Sequence, residues 1–413
     1  MSPGNPARNR GEPRVAARTI HVVGLALART GNSLRSLNAY LCFIVLVSTA
    51  SVKAQSAQSD PVQTDVFVSG ESGYHTYRIP ALVVTTNCTL LAFCEGRKNS
   101  GGDSGDIDLL FKRSVDGGKT WSGQLVIWSD GANCCGNPAP VVDQTTGVVW
   151  LLLTWNLGSD KEDAIGKGLS KDTRRVYVTH SADDGVTWAK PAEITRTVKL
   201  PDWHWYATGP VNGIQLTRGP QRSRLVVPAN HSFLIDKTQT VSRSHIIFSD
   251  DHGATWQIGG SEEDKTNEST IVERADGSLL HNMRSYHQKN RRAIATSRDG
   301  GQTWSPLKHD DALIEPVCQA SILRCTWPEK ESKSRILFSN PASLKRENLS
   351  VRLSYDEGET WPVSKSLWAG PAAYSCLAVL PNKLIACLYE RGDKKPYEKI
   401  SLTRFSSSWL ESR

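Results

Sequence analysis

The segment Ser114-Val115-Asp116-Gly117-Gly118-Lys119-Thr120-Trp121 recurs four more times along the chain, as SADDGVTW (181–188), SDDHGATW (249–256), SRDGGQTW (297–304) and SYDEGETW (354–361). The shared pattern is S-x-D-x-G-x-T-W, at spacings of 67, 68, 48 and 57 residues. Self-similarity on this scale marks a repeat architecture. Each copy closes a short β-rich run: IDLLFKRS, RVYVTHS, SHIIFSD, RAIATSR and LSVRLSY. Asp suits a tight turn because its carboxylate accepts from nearby backbone amides, and Gly because it tolerates positive φ. Thr and Trp then begin a returning strand, with the indole able to tuck beneath the turn. The motif therefore predicts a hairpin inside a repeated antiparallel unit. Roughly 50–70 residues per unit leave room for four short strands, which predicts an all-β fold: a six-bladed β-propeller of four-stranded antiparallel blades, one blade having lost its motif. Copies of one residue set spread around a ring cannot all meet at one site. The acidic motifs are structural turns on this reading, and the chemistry must lie in unrepeated residues.

At 413 residues the chain exceeds an ordinary domain but fits one large all-β unit with a tail. Hydrophobic residues at 38%, charged residues at 22% and the lack of a long apolar run exclude a multispanning membrane protein and a wholly disordered chain. The formal charge of +7 is uneven: residues 1–54 hold seven basic side chains against Glu12 alone, and residues 55–413 hold 42 basic and 41 acidic ones. A nearly neutral body offers no electrostatic footprint for nucleic acid, which is excluded as a partner. The basic leader runs into Leu41-Cys42-Phe43-Ile44-Val45-Leu46-Val47, followed by small residues around Ala50 and Ala54. That is the form of a secretory signal peptide, too short to cross a bilayer, so the chain divides into a leader over 1–54 and one domain over 55–413.

Without Cys42, eight cysteines remain, an even number that permits disulfides in a secretory protein. Cys88/Cys94 and Cys318/Cys325 are the pairs nearest in sequence; none has metal-ligand spacing, so no metal is expected. Asn-x-Ser/Thr sequons mark Asn87, Asn230 and Asn348 as glycosylation candidates. A fourth, at Asn267, adjoins Glu268, a candidate pocket residue, and is expected to stay unmodified.

The unrepeated polar residues are Arg78 in Tyr77-Arg78-Ile79-Pro80, Asp103 in GGDSGDIDLL, Glu268 after Asn267, Arg284 in HNMRSYH, Arg352 in NLSVRLS, Tyr374 in GPAAYSCLAVL and Glu390 in LYERG. Inner propeller strands converge on a central pocket. If Arg78, Arg284 and Arg352 meet there, three guanidiniums make a site for a compact carboxylate and would repel one another without it.

The YRIP segment, the five repeats and the separated arginines together resemble the sialidase (neuraminidase) family, above all its vertebrate lysosomal branch, over residues 62–405. The resemblance implies an exo-α-sialidase on a six-bladed propeller, removing terminal sialic acids from glycoproteins, oligosaccharides and glycolipids by a retaining mechanism with a tyrosine nucleophile. It implies that Arg78, Arg284 and Arg352 hold the sugar carboxylate and that Asp103, in a D-x-G-x-I loop, is the acid/base. Tyr374 would be the nucleophile, Glu268 the base that activates it, Glu390 the carboxylate that orients the first arginine, and Arg97 a further pocket residue. It implies no cofactor, residence in the lysosome by way of the secretory pathway or else secretion, possible homo-oligomers, and a complex with protective protein/cathepsin A and β-galactosidase. The alternatives are a transglycosylating sialidase and a non-catalytic sialic-acid-binding propeller. A tyrosine suits this sugar because its reacting carbon bears a carboxylate, which would repel an attacking Asp or Glu.

Overall fold

The computed structural model describes residues 61–329 and 332–412; the leader with its expected cleavage sites, and Cys42, lie outside them. The described chain is all-β, with three helical segments of five residues or fewer. By hydrogen bonding the strands form sheets of seven, five, four and eight. The eight-stranded sheet is two antiparallel units joined only by the parallel bridge Ile107–Cys134. The seven-stranded one is likewise two units, sharing the long strand Val363–Val379, whose first half pairs with Glu347–Ser354 and whose second half pairs with Ile385–Arg391. Six successive antiparallel units result among the described residues. The sixth is completed by the first strand of the domain, Val62–Val68, which pairs with Lys399–Phe405 and so ties the two ends together.

Alternation along the strands explains how the units pack. On Leu90–Arg97, the residues Leu90, Ala92 and Cys94 join a core cluster shared with the sixth unit, while Leu91 and Phe93 join one shared with the second. Side chains on a strand point to opposite faces in turn, so a strand buried on both sides needs apolar residues at both parities. Similar clusters lie between the second and third units and onward around to the fifth and sixth.

All five repeats form the same turn after the third strand of their unit. In the first, Ser114 Oγ donates to Asp116 Oδ1 at 2.8 Å, the Gly118 amide donates to Ser114 Oγ at 2.8 Å, and Thr120 gives its amide and hydroxyl to Asp116. The same bonds recur at Asp183, Asp251, Asp299 and Asp356. Hydrogen bonds from Thr187 hold the Asp183 carboxyl down at about 2. Gly253 has φ +92°, and a Cβ there would lie 2.1 Å from Trp150, so the turn needs glycine for both conformation and space. The sixth unit has no motif after Phe405; the short helix Ser407–Glu411 follows instead.

Two expectations change. The eight cysteines in the described residues are all thiols, six of them buried, so neither near-sequence pair forms a disulfide here. Asn230 sits mid-strand in Leu225–Ile235 with 1% exposure, where the ladder and the packed neighbours leave no room for a glycan; Asn87 lies on an exposed turn and Asn348 is half-buried. No described helix is long and apolar enough to cross a membrane.

Candidate active site

Antiparallel order decides which residues can meet. A unit's first strand begins, its second ends, and the connection to its third runs, all at one end; the repeated turns follow the third strand at the other. The residues lining a cavity of about 190 Å³ come from the first end. Arg78, Asn137, Glu268 and Tyr374 lie early or midway on the first strands of their units, Arg97 and Arg284 late on second strands, and Asp103, Arg174 and Arg346 on the following connections or where these end.

Tyr374 is the centre. Its hydroxyl donates a short hydrogen bond to Glu268 Oε1, and its backbone amide donates to Glu390 Oε2 at 3.1 Å. Arg284 Nη1 donates to Glu268 Oε2 at 2.8 Å and to the Tyr374 hydroxyl at 3.4 Å. Burial and the Glu268 carboxylate push the Tyr374 phenol well above its ordinary value, against the opposing pull of Arg284. A free phenolate is thus disfavoured, and Glu268 is the group placed to accept the phenol's proton.

Arg78 Nε donates to Glu390 Oε1 at 2.7 Å, and Glu390, with no exposed surface, also accepts from the Ile79 amide at 2.9 Å. Tyr397 lies flat against the Arg78 guanidinium at 4.0 Å and accepts a hydrogen bond from Arg346, whose guanidinium lies 5.6 Å from the Tyr374 ring. Arg97 bonds Glu95 at 2.7 Å and Asp103 at 2.7 Å, with Arg78 3.9 Å from the same Asp103 oxygen. Asp103 keeps 61% of its side chain exposed, open to a departing group or to water. Partial burial acts to raise its carboxyl, but Arg97 and Arg78 win and hold it below the usual aspartate range. Arg174 is buried against the Trp205 ring at 4.0 Å and donates to Asn156 at 2.8 Å and to Asn137. The guanidiniums of Arg174 and Arg346 donate only to neutral groups among the described residues. Two guanidiniums with no carboxylate in ion-pair contact among the described residues, in a pocket already holding three paired ones, favour an anionic ligand, although the Glu162 carboxylate also lines the cavity.

The BNR repeat-like domain family matches residues 88–387. The chain is 31% identical to an exo-alpha-sialidase of Aspergillus fumigatus over 86% of its own length and 89% of the relative's. The chain belongs to the sialidase family. It is also 33% identical to a sialidase of Micromonospora viridifaciens over 85% of its length, although it spans only 55% of that larger protein. The solved Hadza microbial sialidase Hz136 superposes with a TM-score of 0.75 at 31% identity, covering 84% of this chain and 69% of that one. Sialidases are glycoside hydrolases.

Against the expectations drawn from the family, Asp103, Glu268, Tyr374, Arg78, Arg97, Arg284 and Glu390 gather at one site. Arg352 does not. It lies on the third strand Glu347–Ser354, between Phe338 and Ser364 and two residues before the fifth repeat, at the far end of the unit. Its Nη1 donates to Asn340 Oδ1 at 3.1 Å. Arg346, six residues earlier and so about 20 Å back along extended chain, takes its place in the pocket. The repeat itself carries the missed signal. Asp103, Arg174 and Arg346 precede their units' Ser by 11, 7 and 8 residues, Arg352 by only two. Counting back from each turn selects Arg346 and also Arg174. Tyr397, Trp205 and Asn137 carry no such mark. Among the described residues no group of His, Cys, Asp and Glu is arranged to hold a metal.

Proposed function

We propose that the chain is an exo-α-sialidase: a retaining hydrolase, built as a six-bladed propeller, that releases terminal sialic acids from glycoproteins, oligosaccharides and glycolipids. The observation that carries this reading is the Tyr374 hydroxyl bonded to Glu268 inside a pocket ringed by Arg78, Arg284 and Arg346, with the open carboxyl of Asp103 beside Arg97.

The three guanidiniums hold the sugar carboxylate and so position the reacting carbon over Tyr374. At about 4 Å a carboxylate nucleophile would meet repulsion of about 1 kcal/mol in water and about 4 kcal/mol at the effective dielectric of a protein surface. A neutral phenol avoids it. Tyr374 oxygen bonds to the anomeric carbon as its proton passes to Glu268, while protonated Asp103 gives its proton to the departing glycosidic oxygen. In the second half Asp103, now a carboxylate, takes a proton from water. The water oxygen displaces Tyr374, and Glu268 returns the proton to the phenolate.

The leader and the exposed Asn87 support a route through the secretory pathway. From the family resemblance we further propose residence in the lysosome, in complex with a carboxypeptidase of the protective protein/cathepsin A type and β-galactosidase. The test is release of sialic acid from a sialyl-lactose by the full chain. Wild type is expected to turn over, and Tyr374→Phe to lose at least about 10³-fold in kcat while keeping its Tm and its affinity for a sialic acid analogue. Near-normal turnover by Tyr374→Phe removes the nucleophile assignment. Transfer to an added galactoside in place of free sialic acid makes the enzyme a transglycosylase.

A further inference from the structure

Outside the pocket, four large aromatic side chains converge on one groove of about 700 Å³: Trp128 from the outer strand of the first unit, and Trp155, Tyr177 and Trp188 from the second. All four are half-buried. Trp128 and Tyr177 meet across the two units at 4.6 Å between ring centroids. The polar groups around them are Asp130, Arg175 and Lys190. Trp155 Nε1 donates to Asp130 Oδ2 at 2.7 Å, and the Arg175 guanidinium lies 5.5 Å from the Trp155 ring. Packing accounts for Trp188, which meets Phe93 and Phe111 edge-on at 5.7 Å. Trp128, Trp155 and Tyr177 also pack against that core cluster, while each remains partly exposed, Trp155 at an otherwise buried strand end.

We propose that this groove is a second carbohydrate site, holding the neutral portion of the glycan from which the terminal sugar is cut; the inference rests on the sialidase reading. A sugar ring has an apolar C–H face and a rim of hydroxyls, which matches partly exposed indole and phenol rings edged by a carboxylate and cations. Arg175 is already paired with Asp172 at 2.7 Å and Glu193 at 3.5 Å, which leaves one cation, Lys190, and one carboxylate, Asp130, on the lining. The groove therefore carries little net charge, unlike the arginine pocket, and suits an uncharged ligand.

Strand register ties the groove to the candidate active site. Trp128 faces Leu109, which faces Glu95; Trp155 faces Cys135, and its neighbour Asn156 faces Cys134. Glu95 and Cys134 line the pocket. The groove thus lies at the pocket's level, one to two strand spacings outward, about 5–10 Å. It occupies the first and second units, the first of which carries Asp103 before the strand Ile107–Ser114. A chain leaving past Asp103 on that side passes over these rings.

The test has two arms. In calorimetry on the full wild-type chain, a neutral asialo tetrasaccharide of alternating galactose and N-acetylglucosamine binds saturably, and Trp155→Ala weakens it about tenfold. In kinetics, Trp155→Ala and Trp128→Phe lower kcat/KM about fivefold on the sialylated tetrasaccharide, mostly through KM, and leave an aryl sialoside unchanged. Absence of tetrasaccharide binding by wild type overturns the proposal, as does equal loss on both substrates in a variant with unchanged Tm. If Trp155→Ala fails to fold, the wild-type titration and Trp128→Phe still decide it. Failure of wild type to release sialic acid from either substrate overturns the sialidase reading, and the titration still reads the groove.

Discussion

Exchange of Arg346 for Gln separates the two arginines that lie within one connection and strand. Among the described residues Arg346 has no carboxylate partner: it donates to Tyr397 and lies 5.6 Å from the Tyr374 ring, so its charge is available to a bound anion. A hydrogen bond from a guanidinium to a carboxylate contributes about 1.5–3 kcal/mol, and each 1.4 kcal/mol is tenfold, so Arg346→Gln should lose about 10- to 100-fold in kcat/KM. The ligand carboxylate is present before and during the reaction, so most of the loss should appear in KM. Arg352→Gln removes the bond to Asn340 and a charge that acts on Asp310, which costs about 1 kcal/mol of stability and about 2 °C in Tm. Its KM should not move. The assay is initial rates on an aryl sialoside for both variants, with Tm measured alongside. If Arg352→Gln loses affinity and Arg346→Gln does not, the placement of the third arginine at the start of the third strand is wrong.

Glu390→Ala should be among the most damaging changes at the site: it strands Arg78, a buried cation, at a cost of about 3–5 kcal/mol, so Tm and kcat/KM fall together, whereas Glu390→Gln keeps one oxygen for Arg78 and the Ile79 amide, sets its NH2 against the Tyr374 amide, and loses less of both. The pH profile follows from Asp103. As the acid it must carry its proton, and the active fraction is lost as pH rises through its carboxyl value, which Arg97 and Arg78 hold low in the free enzyme. On sialyl-lactose the alkaline limb of kcat should therefore lie above that of kcat/KM, because the bound carboxylate offsets the arginines. Arg97→Gln should shift the kcat/KM limb upward; an unmoved limb removes Asp103 from the acid role. Gly253→Ala forces a Cβ onto Trp150 and strains a positive φ, costing more than about 1 kcal/mol and lowering Tm while KM stays fixed; an unchanged Tm contradicts the account of the turn.

Local chemistry is legible without coordinates. Five copies of S-x-D-x-G-x-T-W announce five identical turns because each is satisfied by its own few residues, Ser to Asp to Thr and Gly to Ser, and needs no distant partner. The same repeat, with the family's motifs, pointed to Tyr374, Glu268 and Asp103. The third arginine was not legible in this way. Arg346 and Arg352 are both basic residues of one short stretch, and only the antiparallel path sends the start of the strand to the pocket and its end to the turn. The buried position of Asn230 and the Tyr397 platform beneath Arg78 likewise depend on which strands become neighbours. Such contacts join residues some 300 positions apart, as Arg78 and Glu390 are 312 apart. A sequence fixes each side chain's chemistry, but which chemistries share a cavity is set by strand direction and by closure of the first strand onto the last.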